Sequence, residues 1–135
     1  MAQNESILIA TGDGEKSAQI GRLFQEARLL NPILLADDPE KARSLLLDQS
    51  ETPVSLLFLE LKEKWSWEFL KWLDAAREKC RVIGLIAENQ AALIDKAYEA
   101  GVATCLKMPF QFSEFLEKSR LLKLQYYIIA SQPVP

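Results

Sequence analysis

Val54-Ser-Leu-Leu-Phe-Leu-Glu-Leu61 decides the fold. Its apolar residues follow one another without the alternation of a half-exposed strand, so both faces of the segment need cover, as in a parallel sheet buried between helices. The run is short enough for one such strand. Its single charged residue, Glu60, comes late, where a buried strand reaches its carboxyl edge. A carboxylate at that edge can serve as a nucleophile, a metal ligand or a switch. Composition and pattern alone make it a partly solvated strand-end acid paired with Lys62, Lys64 or Lys107.

On either side of this run, shorter apolar runs recur with helical patterns between them: Ile7 to Ala10, Ile33 to Ala36, Val82 to Ala87 and Val102 to Leu106. Ile20, Leu23, Phe24 and Ala27 mark a helical face after the first run, and Ala42, Leu45, Leu46 and Gln49 mark another after the second. Asp38 with Pro39 is the start signal of that second helix. Trp65, Phe69, Trp72, Leu73 and Ala76 share a stripe after the third run, which Trp67 cannot join, so one tryptophan is expected to be partly exposed and available to a partner. Asn89 is the expected N-cap of a helix through Leu93, Ile94, Ala97 and Tyr98, and Gly101 is placed to end it in a left-handed turn. Phe112, Phe115, Leu116 and Ser119 outline the last helix, which is expected to run on to about Tyr127.

Strict alternation of this kind predicts an α/β fold of three layers, an open parallel five-stranded sheet with five alternating helices on its two faces. The expected strand order is 2-1-3-4-5. Residues 1–130 form one domain on this reading, and 131–135 a tail or the start of a linker. Ligands of such sheets gather at the carboxyl ends of the strands, here Thr11 to Glu15, Glu60 to Lys64, Ile86 to Asn89 and Lys107 to Phe110.

The 135 residues, 49% hydrophobic and 26% charged, agree with one core and exclude an eight-fold α/β barrel of ~250 residues. A net charge of −3 lacks the basic excess that phosphate backbones attract, so nucleic acid is not expected as a direct partner. The absence of histidine removes the usual triads and most zinc sites. Cys80 and Cys105, far apart in sequence, suggest buried thiols in a reducing compartment rather than a disulfide. With no leader-like N-terminus and no run of ~20 apolar residues, a cytoplasmic location and no membrane association are expected.

Thr11-Gly-Asp-Gly-Glu-Lys-Ser17 follows a strand and opens a helix, the setting of a phosphate-binding loop ending in Lys-Ser. The spacing fails. Ala10 and Glu15 hold the positions that need glycine, and Glu15 would set a negative charge beside the phosphates.

Gly101-Val-Ala-Thr-Cys-Leu-Lys-Met-Pro-Phe110, preceded by Ala97-Tyr-Glu-Ala and followed by Gln-Phe-Ser-Glu-Phe115, resembles the last strand, turn and closing helix of a response-regulator receiver domain. The similarity runs from about Ser6 to Tyr127 and includes the Asp37-Asp-Pro-Glu-Lys-Ala42 segment.

The resemblance implies a flavodoxin-like receiver with a degenerate site. Receivers carry two acids after the first strand to hold Mg²⁺; here those positions are Thr11 and Gly12, and Asp13 matches only the third, so no Mg²⁺ or other cofactor is expected. Glu60 falls on the phosphoacceptor position. The hydroxyl residue after the fourth strand falls on Ile86, the switch aromatic of the fifth strand on Cys105, and the lysine that pairs with the acyl phosphate on Met108, directly before Pro109. Lys107 lies one position earlier, and Lys62 or Lys107 is the expected charge partner of Glu60.

A pseudo-receiver is thereby implied, a two-component signalling module without enzymatic activity that binds another signalling protein, an output domain or a second copy through its last helix-strand-helix face. Tyr126-Tyr-Ile-Ile129 is a candidate extension of that face. Two alternatives stand beside it: a receiver still phosphorylated at Glu60 or Asp13, and a small flavodoxin-like ligand-binding protein or enzyme using the Gly12 to Ser17 turn.

Overall fold

A computed structural model describes residues 6–26, 31–47, 53–62, 64–76, 80–87, 90 and 92–121. Five strands, β1 (Ser6–Ala10), β2 (Ile33–Ala36), β3 (Val54–Glu60), β4 (Arg81–Ala87) and β5 (Thr104–Met108), alternate with five helices, α1 (Gly14–Glu26), α2 (Pro39–Leu47), α3 (Lys64–Ala76), α4 (Leu93–Glu99) and α5 (Phe112–Leu121). All strand pairs are parallel and the order is β2-β1-β3-β4-β5, as expected from the alternation of apolar runs.

Because successive strand residues point to opposite faces, each strand supplies two cores. Ile7, Ile9, Leu56, Phe58, Ile83, Leu85 and Leu106 meet Ile20 and Phe24 of α1 and Phe115 of α5. Leu8, Ala10, Leu57, Leu59, Val82 and Ile86 meet α2, α3 and α4 through Ala42, Leu46, Phe69, Leu70, Leu73 and Ala97. The sheet is therefore the middle of three layers. On the first face, Phe24 and Phe58 pack at 5.3 Å between ring centroids, and Phe110 stacks on Phe58 at 6.2 Å.

Local chemistry sets the helix ends. Asp38 Oδ1 accepts the Lys41 N–H at 2.7 Å with Pro39 in the first helical position, so α2 starts where its sequence says. At the end of α4, Gly101 N–H donates to Tyr98 O and Val102 N–H to Ala97 O, the bond pair of a Schellman cap, and Gly101 takes φ +98°.

Several expectations are corrected. Asn89 lies outside the described residues, and α4 begins at Leu93 with Ala92 in the N-cap position and no side-chain cap. β5 spans Thr104–Met108 rather than Val102 to Leu106, so Lys107 and Met108 are strand residues. All three tryptophans are half-buried: Lys96 of α4 lies over the Trp67 ring at 4.2 Å, and Arg43 of α2 over Trp72 at 5.9 Å. The two cysteines are half-buried as well, so neither is the fully buried thiol expected. Gln49, Ala27 and the 122–135 segment with Tyr126 to Ile129 lie outside the described residues.

Candidate functional site

Glu60 ends β3 and is 3% exposed. Its backbone is held on both sides: Ser66 Oγ, itself buried, donates to the Glu60 carbonyl at 2.6 Å, and the next N–H, of Leu61, donates to Leu85 O at 2.9 Å. Strand alternation puts the Glu60 side chain on the same face as Phe58, toward α1. A carboxylate that far from water requires a counter-charge.

Lys16 supplies it. In the first turn of α1, its Nζ donates to Glu60 Oε2 at 2.9 Å, and the two side chains are 37% and 4% exposed. Lys62 and Lys107, the partners expected from sequence, are both exposed, and the ion pair at Glu60 is made by Lys16 instead. Lys107 is excluded by the sheet register. Glu60 pairs with Leu85, and Leu85 with Leu106, so this row of residues faces α1 and α5. Lys107 follows Leu106 and points to the other face; Met108 returns to the face of Glu60 and packs against the phenylalanine core.

The turn between β1 and α1 is closed on itself. Thr11 is fully buried; its hydroxyl donates to Asp13 O at 2.5 Å, accepts the Asp13 N–H at 3.0 Å, and lies 2.9 Å from Ser17 Oγ. One donor and two lone pairs are thus all in use. Asp13 is exposed, and its Oδ1 accepts the Glu15 N–H at 2.9 Å, which makes it the N-cap of α1. Gly12 has no side chain to offer. Ile86 is buried in the core against α2 to α4, and Gln90 Oε1 accepts the Ala87 N–H at 3.1 Å, tying down the turn that follows β4. Cys105 sits opposite Gly84 on β5, and beside it Tyr98 Oη lies 3.4 Å from Thr104 Oγ1. The Met108–Pro109 peptide is cis.

The expected strand-end positions thus converge, but not on a metal site. Thr11 has no free lone pair, Gly12 no ligand atom, and the Glu60 carboxylate is met by an ammonium group, which repels a second cation. These residues do not fit Mg²⁺. Among the described residues, no three Cys, Asp or Glu side chains group where they would hold a metal ion.

Lys16 is the residue of this site that sequence reasoning did not place beside Glu60. Two signals pointed to it: a lysine in the first turn after β1, and the adjacency of β1 to β3 in a 2-1-3-4-5 sheet.

No family model matches the chain, and neither does any curated protein. Solved structures do. The bacteriophytochrome response regulator AtBRR superposes with a TM-score of 0.78 at 17% identity, over 94% of this chain and 98% of that one. The bacteriophytochrome response regulator RtBRR gives 0.76 at 19% identity, over 96% and 84% of the two chains. A two-component response regulator from Clostridium difficile gives 0.72 at 21% identity, over 89% and 97%. The fold is that of response-regulator receiver domains.

Proposed function

We propose that this chain is a receiver-type signalling domain of a two-component system that works through protein interaction and without a phosphorylation cycle. The Lys16–Glu60 ion pair carries this reading: at the position corresponding to the phosphoacceptor stands a buried carboxylate already bound to a cation. In a working receiver the acceptor must be open to Mg²⁺ and an incoming phosphoryl group. Here the longer acid reaches across to α1, and the lysine provides internally the positive charge that a metal ion brings elsewhere.

Glu60 and Lys16 act on this reading as a fixed link between β3 and α1, not as a catalytic pair, and the domain is not an enzyme. Its partner is another signalling protein, an output domain or a second copy bound at the face of α4, β5 and α5. Among the described residues no helix is long and apolar enough to cross a membrane.

The test is intact-mass spectrometry of the full chain after incubation with acetyl phosphate and Mg²⁺, against an EDTA control. The expected result is an unchanged mass under both conditions. A magnesium-dependent phosphoryl adduct mapping to Glu60 or Asp13 would overturn the proposal and make this a working receiver.

A further inference from the structure

β2 is one edge of the sheet, with β1 as its neighbour. Ile7 N–H donates to Pro32 O at 2.9 Å and Thr11 N–H to Ala36 O at 3.2 Å, so the carbonyls of Pro32 and Ala36 face β1. By strand alternation Leu34 faces β1 as well, and the N–H and C=O groups of Ile33 and Leu35 point the other way, out of the sheet. Among the described residues no strand lies on that side.

The side chains keep this edge open. Ile33 and Leu35 lie against α1 where it carries Gly21. A methyl group there would sit 3.9 Å from Ile33 Cγ2 and 3.8 Å from Leu35 Cδ2, and glycine leaves that cover off. Leu35 is 38% exposed, and Ile33 and Leu34 are half-buried. Edge strands ordinarily carry a charge or a proline that deters pairing. β5, at the opposite edge, does so with the exposed Lys107, whereas Ile33-Leu-Leu-Ala36 has neither.

We propose that β2 pairs antiparallel with β2 of a second copy about a twofold axis at Leu34, joining the two sheets into one. In that register Ile33 of each copy faces Leu35 of the other, and the outward N–H and C=O groups of both residues are all paired. A second copy matches this edge in length and in apolar side chains, with Leu34 meeting Leu34 across the axis. Charge sets the direction. Asp37, directly after the strand, is exposed; parallel pairing would bring the two Asp37 carboxylates side by side, and antiparallel pairing sends them to opposite ends.

Four strand residues a side fall well short of the ~20–30 of a standard interface, so the dimer is weak, with a Kd in the micromolar-to-millimolar range. The junction lies at the edge away from β5, which leaves the face of α4, β5 and α5 open on both copies and presents it twice to a partner. Whether Glu60 accepts phosphate has no bearing on this pairing.

The experiment is sedimentation velocity of the full chain from micromolar to millimolar concentration, together with amide hydrogen exchange over the same range. The expected result is a monomer–dimer equilibrium in which exchange at the Ile33 and Leu35 amides slows with the same midpoint, while the Leu34 amide, already turned to β1, does not change. Leu35→Lys, which places a charge on an exposed position of the edge, should weaken the dimer roughly tenfold or more, because the twofold counts each substitution twice. Its far-UV circular dichroism reports that it is folded. A chain that stays monomeric at millimolar concentration would overturn the proposal and leave this edge to a strand of another protein. A dimer undiminished by Leu35→Lys, or one that leaves exchange at Ile33 and Leu35 unchanged, would overturn it as well and place the contact elsewhere on the surface.

Discussion

Lys16 Nζ and Glu60 Oε2 meet at 2.9 Å although 44 residues separate them in sequence. The contact joins the first turn of one helix to the carboxyl end of the central strand. Its two ends differ in exposure, 37% for Lys16 and 4% for Glu60, so the acid depends on the pair more than the lysine does.

That asymmetry predicts unequal single mutants. Lys16→Met leaves a buried carboxylate without its cation and should destabilise the domain by about 1–3 kcal/mol, the half-exposed lysine keeping the loss below that of a fully buried pair. Glu60→Gln leaves only a solvent-reachable ammonium, and its loss should be under about 1 kcal/mol. Urea unfolding followed by fluorescence of the α3 tryptophans measures both, and the double mutant should be less destabilised than the sum of the two. Strict additivity would show that the pair contributes nothing.

Thr11 predicts a hydroxyl-specific effect. Thr11→Val keeps the shape but removes the acceptor of the Asp13 N–H and the partner of Ser17, at a cost of about 1–3 kcal/mol, while Thr11→Ser should retain most of the stability. Amide exchange at Asp13 distinguishes the two, since the N–H loses its protection only in the valine variant.

Two glycines predict opposite outcomes for the same substitution. A methyl group at Gly84 would lie 2.6 Å from Leu61 Cδ1 and 3.3 Å from Val102 Cγ1, both in a packed core, so Gly84→Ala should destabilise by about 1–3 kcal/mol. At Gly14, in the first position of α1, a methyl meets nothing within 4 Å. Gly14→Ala should therefore stabilise by about 0.4–1 kcal/mol through the unfolded chain. Thermal melts of the two variants check both signs.

Much of the architecture was legible because its causes are local. Continuous apolar runs such as Leu56 to Leu59 mark strands covered on both faces, and Asp38-Pro39 and Gly101 mark helix ends by their own backbone preferences. Reading failed where the local signal was weak. β5 ends in Lys107 and Met108, and an apolar run stops counting at a lysine even when the backbone stays extended on an edge strand. The start of α4 was misplaced because no side chain caps it, so a nearby Asn was the only signal in sight.

By itself the amino-acid sequence determined the β-α alternation, the five-unit count and the place of Glu60 at a strand end, since each follows from residues close together in the chain. Only the tertiary structure decided which lysine meets Glu60. The parity of β5 turns Lys107 away, the packing of α1 on the sheet brings Lys16 in, and both depend on contacts between segments that no local pattern records.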